Sequence, residues 1–114
     1  MTEALIVVIA GEKYAVPMAC VVEVRVYHRA TFLPGAPEWV CGFMELHGKP
    51  VEVFDAARRL GRGELRLDAC SCVIFIETTC GVAGMLIDGV EGIVADDGAV
   101  PAIDVERFFT DAVA

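Results

Sequence analysis

The stretch Ser71-Cys72-Val73-Ile74-Phe75-Ile76-Glu77, Thr78-Thr79-Cys80, Gly81-Val82-Ala83-Gly84-Met85-Leu86-Ile87 reads as two apolar strands around a polar turn. Each run has strand length rather than helix length. The following Asp88-Gly89 is a strong turn signal, so the chain changes direction again at once. A chain built from such units is mainly β.

Upstream, Cys41 to Leu46 and Val51 to Phe54 predict a hairpin around His47-Gly48-Lys49-Pro50. Asp55 then suits a helix N-cap, because its carboxylate can accept the free N–H of Ala57 or Arg58. Gly61 ends that short helix after Leu60. Arg62 to Asp68 is a polar, Gly-containing linker. Leu33-Pro34-Gly35-Ala36-Pro37 is a loop, and Pro37 opens a short turn carrying Trp39. Val22, Val24 and Val26 alternate with Glu23 and Arg25, the pattern of a half-buried strand. Met18 to Val22 can form one helical turn after Pro17, since proline fits a first helical position. Leu5 to Ala10 and Tyr14 to Val16 are strands around Gly11-Glu12-Lys13.

Downstream, Val90 to Ala95, the turn Asp96-Asp97-Gly98 and Ala99 to Ile103 predict a third hairpin. Asp104 then caps a final helix running to about Asp111. The two halves resemble each other. Gly42-Phe43-Met44 and Gly48 match Gly92-Ile93-Val94 and Gly98 at an offset of 50. Val51, Phe54, Asp55, Arg58 and Leu60 match Val100, Ile103, Asp104, Arg107 and Phe109 at an offset of 49. A hairpin followed by an Asp-capped helix, used twice, predicts two small similar β-barrels in one chain.

A length of 114 residues fits one domain, 1–114, with a real core. The net charge of −8 repels phosphates, which argues against nucleic acid and anionic membrane as partners. Hydrophobic residues make up 56% and mean hydropathy is +0.60, which excludes a disordered chain and leaves apolar surface over for docking. The early apolar run Ala4–Ala10 is far shorter than the about 20 residues of a membrane span. Glu3 before it and Glu12-Lys13 after it do not fit a signal peptide, so the expected location is the cytoplasm without membrane insertion. Five cysteines, an odd count, fit free thiols in a reducing compartment.

Cys70 and Cys72 share a strand face and Cys80 lies across their hairpin, which raises zinc or thiol chemistry. Their spacing lacks the paired motif of a structural zinc site, and buried cysteine packs as a small hydrophobe, so no metal or cofactor is expected. Gly81, Gly84, Gly89 and Gly92 lack the strand–loop–helix setting of a phosphate cradle and serve bends or close packing instead. His28, between Tyr27 and Arg29, reads as solvated. No convergent acid, base and nucleophile emerges, so the chain is not expected to be an enzyme. What remains is apolar: Val16, Met18, Val21 and Val24 beside Pro17 either fill a core or line a groove that accepts an amphipathic helix.

These residues resemble the CheW-like domain, the coupling module of bacterial chemotaxis. The resemblance lies in Gly11 to Met18 with Val21 to Val24, in Leu33 to Val40 leading into Gly42 to Gly48, in Val53-Phe54-Asp55 to Leu60-Gly61, and in Val82 to Val90. It spans nearly the whole chain. It implies two interwoven five-stranded SH3-like β-barrels and a non-enzymatic adaptor, associated with receptor arrays. That adaptor bridges the cytoplasmic tip of a methyl-accepting chemoreceptor to the regulatory domain of a CheA-type histidine kinase, or to other CheW-like proteins. Carried over by motif, the receptor groove comprises Met18, Val21, Gly42, Phe43, Leu46, His47, Val90 and Ile93.

Two departures stand out. His47 occupies a position where the family has Arg, and imidazole cannot reproduce a permanent forked guanidinium, which implies a weaker or pH-sensitive receptor contact. Pro101-Ala102-Ile103-Asp104 follows Ala95 almost at once, where the family has a long segment. The second barrel is therefore expected to be reduced, with kinase binding weakened or lost. The rival readings are a self-associating structural module and a thiol or metal protein.

Overall fold

The structure, a computed structural model, describes residues 2–27, 34–35, 39–63, 71–95 and 98–110. Strand β1 (Glu3–Ile9) reverses into β2 (Glu12–Pro17) through Ala10 and Gly11, both at positive φ, 51° and 80°. Strand β4 (Val40–Leu46) reverses into β5 (Lys49–Asp55) through His47 and Gly48 at 50° and 82°. Two consecutive left-handed residues make a type I′ turn, whose twist matches that of the flanking strands. Hence Ile9 pairs with Glu12 and Leu46 with Lys49.

The remaining elements are a 3₁₀ turn (Met18–Cys20), β3 (Val21–Val26), α1 (Ala56–Arg59), β6 (Cys72–Thr78), β7 (Gly81–Ile87), β8 (Gly89–Ala95) and α2 (Val105–Thr110). They form two sheets. One has three strands in the order β2-β1-β8, the other five in the order β3-β6-β7-β5-β4. The chain starts in the small sheet, crosses at the 3₁₀ turn to build the large one, and returns at Asp88 to add β8 beside β1. That exchange interweaves the two units. The small sheet is the reduced one.

The expected elements are present, with three differences. First, Ala99–Ile103 does not return along β8. Ala15 N donates to Pro101 O at 2.8 Å and Ile103 N donates to Ala15 O at 2.9 Å, a parallel bridge of Ala102 to Ala15 on the far side of β2. That course buries Ile103 in the main core and packs Val100 on the outer face of the small sheet. The hairpin half of the internal repeat therefore fails, and its cap half holds. Asp55 Oδ1 accepts from Arg58 N at 3.1 Å and Asp104 Oδ1 accepts from Arg107 N at 3.2 Å.

Second, β3 is turned over. Val22, Val24 and Val26 are the exposed face, Val26 by 62%, while Glu23 and Arg25 are half-buried. A register shift between Val21 and Glu23 accompanies this reversal. Arg25 then has a use inside: its guanidinium lies 5.7 Å from the Phe75 ring centroid and donates from Nη1 to Glu45 O at 2.8 Å. Third, neither sheet closes into a barrel by a continuous ladder among the described residues. The large sheet curls until its two edge strands, β3 and β4, are bridged by that Arg25 side chain instead.

The main core fills the space between the sheets and the helices. Val7, Ile9 and Val16 of the small sheet meet Val53, Phe75, Ile76 and Met85 of the large one. Phe54, Phe108 and Phe109 close it with tilted and edge-on ring contacts at 4.9–6.2 Å. Arg59 of α1 donates to the carbonyls of Phe108 and Arg107 at 2.8 and 3.0 Å, tying the two helices together. Residues His28, Cys70, Asp96, Asp97 and Asp111, and most of the 28–38 loop and the 62–68 linker, lie outside the described residues.

Candidate functional site

The joint between the sheets is set by the two crossings. Pro17 leads directly into the 3₁₀ turn, and Met18 and Val21 emerge from it half-buried, packed on the rim of the main core. The return crossing is pinned by Asp88. Its N–H donates to Val8 O at 2.9 Å, and its Oδ2 accepts from Gly11 N at 3.1 Å. Val90 follows Gly89 at this return crossing, whereas Met18 and Val21 belong to the first crossing at the other end of β1, because Pro17 pairs with Ala4 and Gly89 with Val8.

Register decides which way β8 points. Ile93 pairs with Leu5 and Val90 with Val7, and directly paired residues share a sheet face. Leu5 and Val7 face the main core, so Val90 and Ile93 are on the core side of their sheet. Yet they are 40% and 53% exposed. Because β8 is an edge strand, its core-side face overhangs the large sheet and leaves an apolar ledge.

The β4 residues form a second group. Gly42 and Leu46 are buried, Phe43 is half-buried and His47 is exposed. His47 Nε2 lies 3.2 Å from Glu23 Oε1, and Glu23 also holds Arg25. Glu23 facing His47 and Arg25 facing Glu45 make the β3–β4 seam antiparallel. Extended to the next pair, it sets Phe43 level with Tyr27. That is the far end of β3 from Val21, ~20 Å away at about 3.3 Å per residue. No extensive contact joins β4 to β8. The eight motif residues therefore do not form one cluster: Met18 and Val21 stand at the first crossing, Val90 and Ile93 on the β8 ledge, and Gly42, Phe43, Leu46 and His47 along β4 and its seam with β3.

Sequence reasoning singled out Val24, which is 44% exposed, but not its neighbours Val22 and Val26 on the same exposed face, nor Glu23 and Arg25 on the β3–β4 seam. The same alternation that identifies β3 fits either facing. Only the bulge and the Arg25 acceptors select one. Arg25 holds the Glu23 carboxyl below its ordinary range, with His47 adding to the effect.

The thiols are dispersed. Cys72 is buried and Cys80 exposed, and burial, reinforced by the Asp55 charge, pushes the Cys41 thiol up to about 12. Among the described residues no group of three or more His, Cys, Asp or Glu side chains is placed to hold a metal ion. Among them also, no helix is long and apolar enough to cross a membrane.

Comparison with known proteins gives one consistent result. A family model described as the CheW-like domain matches residues 3–99. The chain is 28% identical over 103 residues to the chemotaxis protein CheW of Rhizobium meliloti, across 89% of this chain and 66% of that protein. It is 30% identical over 107 residues to the probable chemotaxis protein CheW of Rhizobium etli, across 89% and 69%. The scaffolding protein TtCheW from Thermoanaerobacter tengcongensis superposes with a TM-score of 0.79 at 27% identity, over 86% of this chain and 64% of that one. The chain thus spans about two thirds of the length of the relatives it matches. Two interwoven β units and a mainly β core agree with these matches, and the chain belongs to the CheW-like domain family.

Proposed function

We propose that this protein is a chemosensory coupling module that docks a helix of a chemoreceptor's cytoplasmic tip against the inter-sheet joint. The observation that carries this reading is the ledge of Val90 and Ile93, which are directed to the core side yet open to solvent. A helix presents apolar residues at i, i+3, i+4 and i+7, a stripe that matches such a ledge. His47, Phe43, Gly42 and Leu46 extend the surface along the seam, with Leu46 and Gly42 supporting it from beneath. A CheA-type kinase regulatory domain binds weakly, because the small sheet offers three strands where five are expected of a full barrel.

The test is co-sedimentation with receptor cytoplasmic fragments. Val90→Asp abolishes it, because a charge on the ledge loses its hydration when the helix docks. Val82→Asp, exposed at the start of β7, leaves it intact. Circular dichroism verifies that both variants fold. Full binding by folded Val90→Asp rejects the surface. Submicromolar calorimetric binding of the kinase regulatory domain rejects the weakened kinase contact. Concentration-dependent sedimentation that Val90→Asp eliminates assigns the ledge to self-association instead.

A further inference from the structure

The opposite face of the small sheet has its own apolar chemistry. Ala4, Ile6 and Ala15 are buried there in a second cluster, covered only from one side by Val100. Val94 pairs with Ala4, so it belongs to this face, yet it is 47% exposed. Between Val100 and β8 an open trough of about 660 Å³ has a lining that includes Ile6, Ile93, Val94, Ala95 and Val100. Its two sides are of one kind. One is β8, which among the described residues is laddered only to β1. The other is the 99–103 segment, which pairs with β2. The small sheet thus curves round a cluster and stops before the circuit is complete.

The geometry points to a missing strand: we infer that this trough accepts an extended segment of a partner protein, which adds to the free edge of β8 and completes the small barrel. Strand addition fits better than a helix because an edge strand offers a row of main-chain donors and acceptors. A helix satisfies its own main chain and has no use for them. Apolar side chains at alternate positions of the incoming strand fall on Ile6, Val94 and Val100, and those between face solvent.

Charge selects the partner. Glu3 of β1 pairs with Ala95 and stands exposed on the opposite side of the sheet from the trough, the side toward which the intervening residues of an incoming strand are directed. The β8 bulge turns Glu91 to the trough side, where Lys13 Nζ holds it at 3.0 Å. Among the described residues no cation is paired with Glu3, and the whole chain carries −8. A second copy brings another −8 to the edge, whereas a strand alternating valine or isoleucine with lysine or arginine meets it with opposite charge. The side chains of Ile6, Val94 and Val100 are on the other side of the sheet from Val90 of the proposed receptor ledge, and Ile93 borders both surfaces.

The probe is a nine-residue peptide alternating valine with lysine, compared with one alternating valine with glutamate. Fluorescence anisotropy shows saturable binding of the lysine peptide and at least tenfold weaker binding of the glutamate peptide. Raising salt narrows the gap without removing the binding. Hydrogen exchange slows at the β8 amides on addition of the lysine peptide. Val94→Lys weakens the lysine peptide at least tenfold, and Val90→Asp, on the other face, does not. Equal binding of both peptides, no protection of β8, or an unchanged affinity in folded Val94→Lys overturns the inference. So does a dimer whose β8 amides are already protected without peptide.

Discussion

Arg25 Nη1 donates to the carbonyl oxygen of Glu45 at 2.8 Å, and this contact spans the two edge strands of the large sheet. An edge strand leaves a row of main-chain groups unpaired. Here a guanidinium satisfies one of them from the opposite edge while its plane lies near the Phe75 ring and its Nε serves Glu23. Closure of the larger unit is therefore a side-chain event.

Replacing Arg25 tests that closure. Arg25→Met keeps much of the stem packing and removes the charged donors. It is expected to lower unfolding stability by about 1–3 kcal/mol, the range for a hydrogen bond to a charged group with a ring contact added. Urea denaturation measures it. Arg25→Lys restores the charge without the fork and falls between the two.

Glu23 gives the pH dependence its sign. Arg25 lowers its carboxyl below the ordinary value of 4.5. A depressed folded-state value contributes stability above the unfolded value and loses it as pH falls through the folded one. The urea midpoint of the native protein should exceed that of Glu23→Gln at pH 7, and the gap should close progressively below pH 4.5. A gap that does not narrow as pH falls below 4.5 contradicts this role.

Gly84 marks where β7 is pressed between its neighbours. A Cβ there would stand 3.0 Å from Val73 Cγ1 and 3.2 Å from Val53 Cγ2, and both valines are fully buried. Gly84→Ala is expected to cost about 1–3 kcal/mol through overpacking, despite alanine's lower entropy cost on folding. Adding Val73→Ala should recover part of the loss, a coupling that a double-mutant cycle reads directly.

Ala10 offers the opposite case. It holds φ 51°, and its side chain is exposed. Left-handed backbone is unfavourable for alanine by about 1–2 kcal/mol and much less so for asparagine or glycine. Ala10→Asn, which recreates the Asn-Gly pair of a type I′ turn with Gly11, should raise the melting temperature by several degrees. Ala10→Val should lower it.

The local order of this protein was legible because its signals are local. The strand-length runs, the Asp55 and Asp104 caps and the one-turn helix after Pro17 each depend on a few neighbours along the chain; the first two turns are tighter than the expected Gly11–Lys13 and His47–Pro50, using Ala10-Gly11 and His47-Gly48. The motifs from Gly11 to Val90 sufficed to recognise the family. Alternation in Val22 to Val26 identified a strand but not its facing, because period two is satisfied by either face and only Arg25's partners on β4 and β6 break the tie. The course of residues 99–103 was likewise undetermined. An apolar strand can pair with any free edge, and the choice of β2 over β8 rests on burying Ile103 and covering Ala15. The same holds for the ledge and the trough: sequence supplied Val90, Ile93 and Val94, while the pairing of β8 with β1, far apart in the chain, decided which of them meets which side.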